Sequence, residues 1–143
     1  MLAARHRGTP CVEDASREVF WNFWRESDGV GNIMMLNTDW ASPGEAKTVV
    51  VRAPSGDFEA RVVERSPKII TILPSASIEA SPQLHVEIVS VDNGQARLRI
   101  HGCGRGELVV HAGGSSKTVE LYLADAPFQD WTMADGVGLR RMR

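Results

Sequence analysis

The stretch from Val19 to Trp40, VFWNFWRESDGVGNIMMLNTDW, holds three of the chain's four tryptophans and reads as two apolar strands around a polar, glycine-containing loop. Successive side chains of a strand leave on opposite faces, so Val19, Trp21 and Phe23 share one face while Phe20 and Trp24 share the other. Both faces of this strand therefore call for burial. A strand of this kind sits between two layers or presents one aromatic set to something outside its own core. Trp21, with Val19 and Phe23 beside it, is the expected inward tryptophan; Asn22 dilutes the face of Trp24, which is expected to point outward.

The remainder of the chain repeats the strand signal at short intervals. Runs rich in Val, Ile, Leu and aromatic residues fall near 18–25, 32–39, 47–53, 57–65, 68–73, 84–91, 95–101, 106–111 and 117–123. No stretch sustains helical spacing. LHVEIVSV alternates cleanly, with Leu84, Val86 and Ile88 on one face and His85 and Glu87 on the other. The turns carry matching chemistry: Pro54-Ser55-Gly56-Asp57, Asp92-Asn93-Gly94 and Gly113-Gly114-Ser115-Ser116 each suit a tight connection between strands. The pattern predicts an all-β fold, an antiparallel β-sandwich built either as one unit or as two small consecutive β modules. In the second form, residues 1–76 are a β module with an aromatic-rich first hairpin. Residues 77–83, SIEASPQ, are an exposed connector, and 84–143 are a small β-sandwich module ending in an irregular tail that folds Phe128 and Trp131 back onto a sheet.

Charge and composition bound the function classes. The formal net charge is -2, and residues 1–76 carry nine basic against ten acidic side chains, so no basic footprint points to nucleic acid. Arg5, His6 and Arg7 stand where a signal peptide would need apolar residues, and no run approaches the ~20 apolar residues of a membrane-spanning helix. A soluble chain without an address is expected. Cys11 and Cys103 are far apart and lack a CxxC partner, which indicates neither a disulfide framework nor a zinc knuckle.

Signals for chemistry are sparse. His85, His101 and His111 fall on three predicted strands, yet their spacing matches no metal motif, and a histidine on the wet face of a strand needs no special account. GCGRG, Gly102 to Gly106, has the glycines of a phosphate loop but runs into the strand-like ELVVHA instead of a helix, so it reads as a turn or bulge. Asn37, Asp39 and Trp40 form a grouping able to bind a sugar, since an indole stacks on a pyranose face while amide and carboxylate take hydroxyls. Strand-end capping around a core tryptophan accounts for the same residues. The carboxylates cannot be assigned the paired separation that glycoside hydrolysis requires. No catalytic residue, cofactor site or metal site is assigned; Trp21, Trp24, Asn37, Asp39 and Trp40 stand as glycan or domain-interface contacts.

At NIMMLNTDWASPGEAKTVVVRAPSGDFEARVVERSPKIITILPS, mainly residues 32–75, the chain resembles the β-rich module that follows the catalytic domain in some polysaccharide-processing glycosidases and lyases. The features that carry the likeness are a strand ending in LNTDW, a turn with Pro43 and Gly44, a KTVVV strand, a short strand around Phe58 and a closing strand near Ile70. HVEIVSVDNGQARLRIHGCGRGELVVHA looks like the small terminal sandwich appended to such enzymes. The resemblance implies a non-catalytic accessory module whose partner is the catalytic domain of a larger enzyme or a polysaccharide. An independent Ig-like or lectin-like binding module is the alternative, followed by a small enzyme using the histidines with Asp39.

Overall fold

The computed structural model describes residues 10–14, 18–27, 29–39, 45–63, 66–123, 127–134 and 138–142. These residues form strands only, arranged in three antiparallel sheets. A central six-stranded sheet has the order β11(Ser115–Leu123), β10(Gly104–Ala112), β7(Ser77–Ala80), β6(Lys68–Ile72), β3(Val30–Asn37), β2(Val19–Ser27). A three-stranded sheet is made of β1(Cys11–Glu13), β4(Lys47–Arg52) and β5(Phe58–Val62), with β4 in the middle. The third sheet orders β13(Gly138–Arg141), β12(Phe128–Ala134), β9(Gln95–Gly102) and β8(Leu84–Asp92).

Register shows how the sheets stack. Directly paired residues share a face, and Ile70 pairs with Ile33 and Glu79 while Thr71 pairs with Asn32 and Ile78. One face of the central sheet thus carries Ile33, Met35, Ile70 and Ile72, which pack with Val49, Val51, Ala60 and Val62 of the three-stranded sheet. The opposite face carries Ile78, Leu108 and Leu121, which pack with Leu84, Val86, Leu98, Ile100, Trp131 and Met133 of the four-stranded sheet. Two sandwiches therefore share one sheet, each covering a different half of it from a different side. Leu73 and Val30 reach the second core from strands that otherwise serve the first.

Residues 77–80, expected within an exposed connector, form β7 at the middle of the central sheet, hydrogen-bonded to β6 on one side and β10 on the other. Ser77 and Ile78 are fully buried. The segment is short and Ile78 is its one large apolar residue, so its alternation does not stand out beside Ser81 and Pro82. Only Ser81, Pro82 and Gln83 connect β7 to β8, with Pro82 and Gln83 exposed. The chain beyond Leu123, expected to be irregular, adds β12 and β13 to the four-stranded sheet; Trp131 is buried and Phe128 lies on the outer face.

Turn chemistry acts as read. Asn93 (φ 49°) and Gly94 (φ 76°) both take positive φ between Asp92 and Gln95, the two-residue hairpin whose twist matches its strands. At the passage from β9 to β10, where the chain leaves one sheet for another, Gly102 and Gly106 serve packing, while Gly104 takes a positive φ of 73° in open space. A Cβ at Gly106 would stand 2.4 Å from a Leu84 methyl, and one at Gly102 would stand 2.5 Å from the Gln83 carbonyl oxygen.

Because β7 ties the two halves through backbone hydrogen bonds, the sandwiches are expected to unfold together. Ile78→Ala should cost about 3 kcal/mol, the usual cost of emptying a fully buried aliphatic site. Amide exchange should show β3 and β9 losing protection in one step, and native-state proteolysis should spare residues 77–80. Separate transitions for β3 and β9 would contradict the shared-sheet account.

Candidate functional site

Among the described residues the staggered stacking leaves half of each face of the central sheet without a covering sheet. Over β6, β3 and β2 this face consists of three cross-strand rows: Phe20 beside Leu36, then Asn22, Met34 and Ile69, then Trp24 and Asn32 with the buried Thr71 at the inner end. Phe20 is 56% exposed, Trp24 53% and Ile69 42%. Asn32 is held within this face by the Thr71 hydroxyl, which donates to its Oδ1 at 2.9 Å. Beside Ile69 and Thr71 lies a groove of about 490 Å³, closed on its other side by Ala80, Leu84 and His85. The face is thus an aromatic and aliphatic ledge running into a groove where the two sandwiches meet.

The two tryptophans of β2 take the opposed places expected of them. Trp21 and Phe23 are half-buried against the first core, whereas Trp24 belongs to the open ledge. Asn37 and Asp39 are brought together but turned inward. The fully buried Asn37 donates from Nδ2 to the carbonyl oxygens of Glu45 (3.0 Å) and Val62 (3.3 Å), while its Oδ1 accepts from the Asp39 amide at 2.9 Å. Asp39, also buried, meets Lys47 Nζ at 2.9 Å, and the same ammonium lies 2.9 Å from Glu18. The hydrogen bond that Lys47 donates to Asp39, then the one it donates to Glu18, raises its pKa above the ordinary value. These groups clamp the end of β3 to β4 and β5. Trp40 lies outside the described residues.

The opposite uncovered half, over β7, β10 and β11, is polar. Glu79 joins Lys68 (3.1 Å) to His111, whose Nε2 is 2.5 Å from Glu79 Oε2 and whose Nδ1 is 2.7 Å from the Ser116 hydroxyl. Phe58, from the first residue of β5, stacks on the imidazole at 3.9 Å and 6°. Just before it, the β4–β5 turn accepts the Gly113 amide at the Ser55 carbonyl oxygen, 2.9 Å away. His111 is buried, not on a wet face, because that turn folds over it. Sequence spacing could not disclose this line, since its members come from four strands and one of those, β7, is not visible as a strand. Serine, imidazole and carboxylate in one line share the connectivity of a nucleophile-activating triad. Here Ser116 stands directly opposite His111 in the β10–β11 ladder and Phe58 closes the ring face, so the hydrogen bonds hold strands and turn together.

His85 and His101 pair across β8 and β9 on the outer face of the four-stranded sheet, ring centroids 6.1 Å apart, with Glu87 2.7 Å from His101 Nε2. They are on a different sheet from His111, and Asp39 is engaged with Lys47, so the histidines and Asp39 are not brought together. Among the described residues no group of three or more His, Cys, Asp or Glu is placed to hold a metal ion. Both cysteines are free, and the partial burial of Cys11 raises its thiol pKa, with Glu13 adding to the effect. Among the described residues no helix is long and apolar enough to cross a membrane.

Two outcomes test the inward reading of the Asn37 cluster. Asn37→Ala strands two buried carbonyl oxygens and one amide, and should lower stability by about 2–3 kcal/mol in chemical denaturation. For Lys47 the raised pKa gives a stabilisation fully present below the ordinary lysine value of 10.5 and lost as pH rises through the raised value. The stability gap between the native chain and Lys47→Met should therefore stay constant from neutrality to near pH 10.5 and narrow above it. A gap that widens with alkali would reverse the assignment.

No protein family, curated protein or solved structure matches this chain.

Proposed function

We propose that the chain is a non-catalytic β-sandwich accessory module of a carbohydrate-active enzyme, supporting a catalytic domain and offering it, or its polysaccharide, the Phe20–Trp24 ledge. The observation that carries this reading is that ledge. A strand with aromatics on both faces delivers one set to the first core and leaves the other in water, although burying a large aromatic is worth roughly 1.5–3 kcal/mol. Contiguous exposed apolar surface of this kind marks an interaction site. An indole and a phenyl ring on a flat sheet suit either the apolar flank of a neighbouring domain or the faces of successive sugar rings. In this reading the chemistry on the glycan belongs to the catalytic domain, and the module supplies attachment. An independent Ig-like or lectin-like module would use the same ledge, and autonomous high affinity for a glycan would favour it.

The test compares the two tryptophans of β2. Trp24→Ser should leave the melting temperature nearly unchanged, reduce binding of an apolar dye and weaken retention on immobilised polysaccharide or docking to the catalytic domain at least tenfold. Trp21→Ser should cost about 2 kcal/mol or more of stability, as expected for truncating an aromatic packed against a core. If Trp24→Ser leaves both kinds of binding intact, the ledge is not the contact and the reading fails.

A further inference from the structure

We propose that β2 pairs edge to edge with β2 of a second copy of this chain, in antiparallel register about Asn22, joining two central sheets into one. β2 is the outermost strand of the six-stranded sheet, and among the described residues no strand lies on its far side. It is nine residues long, and its first six, VFWNFW, contain no charge and no proline. Proteins protect such an edge, because a row of unpaired N–H and C=O groups flanked by apolar side chains templates further pairing. This strand carries none of the usual protections over that stretch. The bulge between Arg25 and Ser27 breaks regular pairing only beyond it.

The occupant is named by the order of the side chains. Read in opposite directions about Asn22, the segment Phe20-Trp21-Asn22-Phe23-Trp24 is complementary to itself: Phe20 meets Trp24, Trp21 meets Phe23, and Asn22 meets its own copy on the two-fold axis. Opposite residues of an antiparallel pair share a face, so from Phe20 to Trp24 every contact joins aromatic to aromatic or amide to amide, and beyond them Val19 meets Arg25. On the open side Phe20 and Trp24 of one copy flank the partner's Trp24 and Phe20. On the other side the half-buried Trp21 and Phe23 cover each other's remaining edges. Moving the axis one residue to Phe23 would set Asn22 against Trp24 and Phe20 against Glu26, so the register centred on Asn22 is the one the sequence supports. Pairing at the edge leaves the ledge itself open and doubles it, so this inference stands apart from the ledge's partner.

The experiment uses the whole chain. Sedimentation velocity over a dilution series should show a reversible dimer, and Asn22→Arg, which sets two like charges opposite each other at an exposed position, should weaken association about tenfold or more without changing the melt of the monomer. In a Cys11→Ser, Cys103→Ser background, Asn22→Cys should oxidise to a disulfide-linked dimer, since directly opposed strand residues lie within disulfide reach. Phe20→Cys and Trp24→Cys should fail to cross-link separately and should cross-link when mixed. A chain that stays monomeric to its solubility limit overturns the proposal, as does a dimer that tolerates Asn22→Arg. Self-cross-linking of Trp24→Cys as fast as Asn22→Cys would assign the contact to the sheet face and overturn the edge register.

Discussion

Strand β6 is the joint on which the architecture depends. Ile70 and Ile72 point from it into one core, and Leu73, directly after it, enters the other. A strand two-faced in this way cannot lie at the rim of a single sandwich. It forces the covering sheets onto opposite sides, and β7 must then continue the ladder, because Thr71 and Ile78 pair across the point where the covered face changes. The polar members of the joint are accommodated by the same geometry. Glu79 shares a face with Ile70 but lies beyond the three-stranded sheet, where Lys68 and His111 meet its carboxylate oxygens.

What the sequence shows plainly is local. Alternation in LHVEIVSV and the Asp92-Asn93-Gly94 turn specify a hairpin through two rules that need no knowledge of the rest of the chain: side-chain period and tolerance of positive φ. The two-faced character of Val19 to Trp24 is equally legible, down to which tryptophan turns inward. Missing from view is whatever depends on a partner strand. Ser77-Ile78-Glu79-Ala80 does alternate, with Ile78 and Ala80 toward the dry core and Ser77 and Glu79 on the other face, but four residues with one large apolar side chain before Ser81-Pro82 read as a connector. Trp131 and Met133 do alternate, yet the neighbouring Pro127, Gln129 and Asp130 give that stretch the look of a tail. Its place in the sheet comes from pairing with β9, some thirty residues earlier.

The polar residues of the first half teach a similar lesson. Asn37 and Asp39 have the chemistry of a sugar-binding pair, and in water they would act as one. Within the fold their amide and carboxylate complete the hydrogen bonding of a buried strand end, which is what a buried polar group must do to avoid a desolvation penalty of about 1–3 kcal/mol. Residue type gives the donors and acceptors; only burial decides whom they serve. The glycines from Gly102 to Gly106 follow the same logic, with Leu84 filling the space a phosphate would otherwise suggest.

The two uncovered halves of the central sheet are not equivalent. Over β7 and β10 Glu79 meets Lys68 and His111, His111 also meets Ser116, and Phe58 caps the imidazole, so the principal polar groups of that surface are engaged. Over β2 and β3 the side chains of the open face are aromatic, aliphatic and neutral amide groups, and among the described residues no sheet covers them. Water is a poor partner for Phe20 and Trp24 but an adequate one for Asn22, so a surface built from these three gains most from a flat, apolar partner. Among the described residues the strand that creates this surface is also the outermost strand of the sheet. Its side chains offer area and its backbone offers hydrogen bonds, so both proposals place the contact on β2.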